Sequence, residues 1–213
     1  MIAAVEQDST IRKYRPKSGR SSSQTWRTFL RNHAAQTIAV DFFTVPTATF
    51  RVLFVFVILA HERRKIRPIA ITEAPSAGWT AQQVVEAFPF EPAPKYLLRD
   101  RDDIYGAEFV TRVAGLGSRE KLIAPRSPWQ SPCVERLIGS FRRECLDHFI
   151  ILNERHLKGV LSKYREYYHD ARTHLALESD CPVPRPVENV DPGEVVAMPM
   201  VGGLHHRYTR RAA

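Results

Sequence analysis

A chain of 213 residues with 44% hydrophobic and 25% charged side chains can bury a sizeable core, which excludes a disordered or fibrous protein. Lys and Arg outnumber Asp and Glu by 31 to 23; the net charge of +8 and a pI near 9.7 favour a polyanionic partner, with nucleic acid the leading candidate. Three cysteines, Cys133, Cys145 and Cys181, have neither zinc spacing nor an even count, so they read as reduced thiols of an intracellular, cytoplasmic protein. The longest apolar run, nine residues from Val52 to Ala60, is too short to cross a bilayer as a helix, and no membrane partner is expected.

In chain order, residues 1–24 are polar and basic and read as a flexible arm. The spacing of Trp26, Phe29, Leu30 and His33 predicts a short amphipathic helix. Three runs rich in Val, Ile and Phe follow at residues 37–45 (TIAVDFFTV), 51–59 (RVLFVFVIL) and 65–72 (KIRPIAIT), the pattern of an antiparallel meander. The second is apolar on both faces and reads as central, whereas Pro68 sends the third to an edge. Asp41 stands among Ile38, Val40, Phe42 and Phe43, where a carboxylate is costly to desolvate unless a cation compensates it, and a metal would do so.

A helix over residues 79–88 comes next, then a strand at 95–98 that leads into RDRDDIYG, with Asp100, Asp102 and Asp103 close together. A helix at about 105–114, a strand at 121–124 and a Pro- and Ser-rich loop precede a helix bearing Glu135, Arg142 and Arg143. Positions 135 and 142 lie two turns apart on one helical face, so a carboxylate and a guanidinium share a side. The competing reading is a solvated amphipathic helix with Leu137, Ile138 and Phe141 as its buried stripe. A last helix starts after an N-cap at Asn153, with Leu157, Leu161, Tyr164 and Tyr168 as its apolar stripe. From Cys181 the chain turns proline-rich and basic and reads as an extended, largely uncored tail, with His205 and His206 at a solvated end. The domains are thus an arm at 1–24, a core at 25–180 and a tail at 181–213.

At Asp41, Asp100 and Glu135, through VDFFTV, LLRDRDDIYG, APRSPWQSPCVERLIGSFRREC and YYHDARTHLAL, the chain resembles the DDE transposase and integrase superfamily, specifically the integrase-type core of bacterial insertion-sequence transposases. Thirty-four residues separate Asp100 from Glu135, against about thirty-five in the family pattern. The resemblance implies an α/β, ribonuclease-H-like fold with a mixed five-stranded sheet flanked by helices. It implies that Asp41, Asp100 and Glu135 are catalytic and hold two Mg²⁺ ions, Mn²⁺ substituting, for DNA strand nicking and strand transfer. Two or three carboxylates suffice because Mg²⁺ prefers hard oxygen ligands and keeps several waters.

Arg142 matches the family's basic position seven residues after the Glu and, with Arg143, implies grip on DNA phosphate; Trp129 and Gln130 would contact a DNA end, or Trp129 packs on the core instead. Glu144 reads as half of a structural ion pair, and Arg172 to His174 as structural, with phosphate contact as the alternative. The implied partners are double-stranded DNA, further copies of the chain as a homo-oligomer on DNA, and a separate DNA-binding domain or chain, since the forty residues before Asp41 do not hold the helix-turn-helix of full-length relatives. The sequence also departs from the family at Ser131, where relatives carry Asn, and at Asp102 and Asp103, read here as a solvated turn with competition as metal ligands as the alternative. The alternative function is a catalytically silent remnant acting only in DNA binding or oligomerisation.

Overall fold

The computed structural model describes residues 25–125, 127, 130–186 and 193–211; the basic arm expected at 1–24 lies outside them. Two units divide the chain, Met1–Asn32 and His33–Ala213. In the first, Trp26 stacks on Phe29 with ring centroids 5.5 Å apart, at the start of α1 (Trp26–His33), the helix expected from its spacing.

The second unit is built on a mixed sheet. Strands β1 (Thr37–Pro46) and β2 (Val52–Ala60) pair antiparallel along their whole length, and β2 is buried at nearly every position, as its uninterrupted apolar sequence requires. The third apolar run splits into β3 (Lys65–Ile66) and β4 (Ala70–Thr72), both antiparallel to β2 at the sheet edge. Pro68, which has no N–H to give to the ladder, sits in the break, and the register gains one residue across it. Strands β5 (Tyr96–Arg99) and β6 (Arg119–Leu122) run parallel to β1, giving the order β3-β2-β1-β5-β6 with β4 beside β2. The expected five-stranded mixed sheet is therefore present with its edge strand in two pieces, six strands in all.

Helices cover both faces. On one, α2 (Ala77–Glu86) and α3 (Ala107–Gly115) enclose Ile38, Val40, Phe56, Ile58, Leu97 and Phe109. On the other, α4 (Pro132–Glu144) and α5 (Glu154–Asp170) bring Phe141 onto Phe43 at 5.7 Å and Tyr164 onto Phe141 at 5.2 Å. Local chemistry sets the starts of these helices. Ser76 Oγ accepts from the Trp79 amide at 3.2 Å to cap α2, and Asn153 Oδ1 from the His156 amide at 2.9 Å to cap α5, as expected from Asn153. Pro132 opens α4, where its missing N–H costs nothing.

The C-terminal segment departs from the extended tail read from its composition. β7 (Glu194–Met200) and β8 (His205–Arg211) form an antiparallel hairpin whose turn uses Gly202 (φ 68°) and Gly203 (φ 93°), backbone that glycine adopts without strain. Val201 is buried, and the His205 ring lies flat on Tyr167 at 4.0 Å while its Nε2 sits 2.7 Å from the Glu144 carbonyl. His205 is thus docked rather than solvated, because Tyr167 on α5 offers it a face and the end of α4 an acceptor; His206 is exposed as expected.

Candidate active site

Alternation along β1 decides where Asp41 goes. Ile38, Val40 and Phe42 pack towards α2 and α3, so Ala39, Asp41 and Phe43 face the α4 side, the side on which Phe43 meets Phe141. The parallel register of β1 with β5 matches Ile38 to Leu97 and Ala39 to Leu98, and continuing it by two residues brings Asp41 level with Asp100, just past the end of β5. Glu135 sits in the first turn of α4, where the positive end of the helix dipole favours a carboxylate.

The three carboxylates line one cleft of about 490 Å³ together with Asp102, Arg101 and Ser131. Asp41 is half-buried and Asp100 and Glu135 are exposed. Burial pushes the Asp41 carboxyl up to about 7, the Phe42 amide at 2.8 Å opposes this, and the charges of Glu135, Asp100 and Asp102 push it further up. Among the described residues none of the three carboxylates has an ion-pair partner. A concentration of uncompensated negative charge lined by oxygen donors suits a hard divalent cation. Among the described residues no three Asp, Glu, His or Cys side chains form a compact ligand set.

Two neighbours of the acids come from the fold and not from any sequence pattern. Arg99 is buried; its Nε donates to Glu120 Oε1 at 2.7 Å and its Nη1 to the Asp100 carbonyl at 2.9 Å, and its guanidinium lies 5.1 Å from the Tyr105 ring centre. The backbone carrying Asp100 is thereby tied to β6. Tyr105 Oη is buried without a hydrogen-bond partner among the described residues; burial pushes its phenol well up, with Asp41, Asp100 and Asp102 adding to the effect. A tyrosine two residues after an acid cluster carries no signal of this on its own.

The remaining expected residues divide. Arg142 is exposed with its guanidinium 5.7 Å from the centre of the Phe43 ring, on Asp41's strand. Arg143 turns onto the next flank of α4, where its guanidinium lies over Gly139, so the pair does not act as one unit. Gln130 Oε1 accepts from the Ala124 amide at 2.8 Å, which fastens the loop before α4; Trp129 lies outside the described residues. Ser131 holds the N-cap position of α4 but its side chain makes no capping bond, and its Oγ is buried in the cleft wall without a partner among the described residues. Asp102 does form a turn, Oδ1 accepting from the Ile104 amide at 2.9 Å, yet it also lines the cleft; Asp103 is exposed outside it.

Glu144 is half of an ion pair, as read from the sequence: Arg172 reaches it at 2.6 and 2.8 Å, and Tyr164 Oη donates at 2.7 Å. Burial would raise the Glu144 carboxyl, but these donors hold it at about 2.

Residues 116–182 match the integrase core domain family, a span that includes Glu135 and the α4 and α5 helices. That span is about a third of the chain. An uncharacterized 31.7 kDa protein of insertion element IS407 from Burkholderia multivorans is 29% identical to this chain over 114 residues, 51% of its length. The chain spans about 40% of the length of that relative. Among solved structures, an intasome chain of simian T-cell lymphotropic virus, in complex with PP2A regulatory subunit B56 gamma, superposes with a TM-score of 0.57 at 14% identity, covering 82% of this chain and 66% of that one. The HTLV-2 integrase catalytic core domain in complex with magnesium, in its trimeric form, superposes with a TM-score of 0.52 at 10% identity, covering 70% of this chain and 93% of that one. At such identities the likeness establishes the integrase-like fold. No helix among the described residues is long and apolar enough to cross a membrane.

Proposed function

We propose that the chain is the catalytic core of a transposase or integrase that nicks DNA and transfers the cut strand, with Asp41, Asp100 and Glu135 as its catalytic carboxylates. The observation that carries the reading is that these three acids, from the middle of β1, the end of β5 and the first turn of α4, line one cleft and make no ion pair among the described residues. They are the residues that would hold Mg²⁺, the ion bound by the HTLV-2 core, and Asp41, which feels the charge of both other acids, is the one suited to be shared by two ions. When bound, divalent ions supply positive charge that activates a water or a 3′ hydroxyl and stabilises the departing oxygen.

The chain's own side chains do the rest. Ser131 Oγ has free hydrogen-bonding capacity to orient a water or a substrate oxygen. Arg142, on the same helical face as Glu135, grips a backbone phosphate beside the cleft, with Gln130 holding the loop in front of it. Double-stranded DNA is the substrate. The chain works as a homo-oligomer on paired ends, in keeping with the dimeric and trimeric forms of the HTLV-2 core, and a separate DNA-binding domain or chain supplies recognition of the ends.

A second reading, a DNA-binding or oligomerisation module without catalysis, is favoured by one observation, that no three Asp, Glu, His or Cys side chains form a compact ligand set among the described residues. Nicking of supercoiled plasmid at low salt in Mg²⁺ and in Mn²⁺, wild type beside Glu135→Gln, separates the two. Metal-dependent nicking that the variant loses, with an unchanged circular dichroism spectrum, is the expected result. No nicking by folded wild type in either metal, or equal nicking by the variant, rejects the catalytic assignment.

A further inference from the structure

Helix α4 has a second charged flank. Arg136 and Arg143, two turns apart, line a separate hollow of about 350 Å³ with Arg64, Arg172, Glu144 and His174. Four guanidinium groups meet one carboxylate there, and that carboxylate is already engaged by Arg172 and Tyr164. Arg64, Arg136 and Arg143 make no ion pair among the described residues, so the hollow keeps an excess of positive charge.

His174 adds a directed donor. It is 5% exposed, and Arg172 Nη1 lies 3.2 Å from its Nδ1. A guanidinium only donates, so Nδ1 accepts and the neutral ring carries its proton on Nε2. Burial, with the charges of Arg172 and Arg64, lowers the ring to about 4 and keeps it neutral near pH 7. That Nε2 is buried and makes no hydrogen bond of good geometry among the described residues, although the Tyr168 main chain acts on the ring to raise it. An unsatisfied buried donor is costly, and an oxygen that reached it would relieve that cost.

We propose that this hollow is a second phosphate site, distinct from the carboxylate cleft, that takes a backbone phosphate of the bound DNA. Arginine forks match phosphate oxygens in pairs, and a neutral N–H completes the set without needing a further charge. The inference rests on the DNA-acting reading above, and it means that duplex DNA is held on two flanks of α4. Arg172 and His174 then have a ligand-facing role beside their structural one.

The test is duplex binding by fluorescence anisotropy across a series of KCl concentrations, without divalent ions, for wild type, Arg64→Gln, Arg136→Gln and a control, Arg155→Gln. Arg155 does not line the hollow. Each of the first two substitutions is expected to weaken binding up to about tenfold and to reduce the slope of log K against log salt by about one, with the control unchanged. Unchanged slopes in both variants, at unchanged melting temperature, overturn the proposal. Its outcome is separable from that of the catalytic assignment, since altered slopes in a protein that nicks nothing still support the site. Should wild type bind no duplex, ³¹P line broadening of inorganic phosphate is read instead. Broadening lost in Arg136→Gln leaves an anion site and overturns DNA as its ligand; no broadening overturns both.

Discussion

Glu144 is the residue whose charge contributes most plainly to folding. Its carboxyl lies at about 2 against an ordinary 4.5, held there by Arg172 and Tyr164 against the cost of burial. A depressed carboxyl stabilises the fold above the ordinary value and loses that contribution as pH falls towards the depressed one. A displacement of this size corresponds to about 3 kcal/mol, which screening by water at this partly exposed pair brings to about 2–3 kcal/mol. Glu144→Gln should therefore lower the unfolding free energy by about that much at pH 7, and the gap to wild type should narrow below pH 4.5 and close near pH 2. Urea melts of both proteins across that range measure it; a gap that stays constant would mean that packing, and not charge, sets the contribution of Glu144. Asp41 has the opposite sign. Its raised carboxyl costs stability as pH rises from 3.8 towards 7, so Asp41→Asn should raise the melting temperature at pH 8 in the absence of divalent ions and leave it unchanged at pH 3.

At the scale of elements, α4 is the part that several functions share. One face presents Glu135 to the cleft, the next carries Arg136 and Arg143, and the buried stripe of Val134, Leu137 and Phe141 fixes both relative to the sheet. Phe141 is fully buried between Phe43 and Tyr164, so Phe141→Ala leaves a cavity where the helix meets β1 and should cost about 3–5 kcal/mol. Guanidinium melts give the stability loss. Plasmid nicking at a temperature where the variant is still folded should fall as well, since Glu135 loses its anchor two turns away. A variant that is destabilised yet nicks at the wild-type rate would show that α4 docks adequately without this contact.

For the molecule as a whole, depth of burial predicts an order of opening. The long pairing of β1 with β2 lies at the centre of the sheet with helices on both faces, whereas the β7-β8 hairpin is mostly exposed and is held chiefly by Val201 and His205. Amide exchange followed by mass spectrometry should find the hairpin amides open at low denaturant while those of residues 38–45 and 53–59 exchange only with global unfolding. Equal protection of the two regions would contradict this. Much of the architecture was legible beforehand because it is local. Apolar runs of strand length, the cap at Asn153 and the edge position of the run around Pro68 each follow from the residues at those positions, and the sequence contexts of the three acids placed them on the elements where they are found; the split of that run into two strands was not foreseen. The C-terminal hairpin was not legible, since its strands are polar and its docking depends on a ledge formed by Tyr167, contributed by a distant helix. Nor were the buried Arg99–Glu120 pair, the unpartnered Tyr105 hydroxyl or the arginine hollow around His174. The amino-acid sequence by itself determined which residues could form strands and helices and which acids could serve as a set, because backbone preference and side-chain alternation act over a few residues. Tertiary structure alone decided which charges are left uncompensated and which donors are left unpaired, because desolvation and neutralisation depend on groups that meet only when distant segments pack.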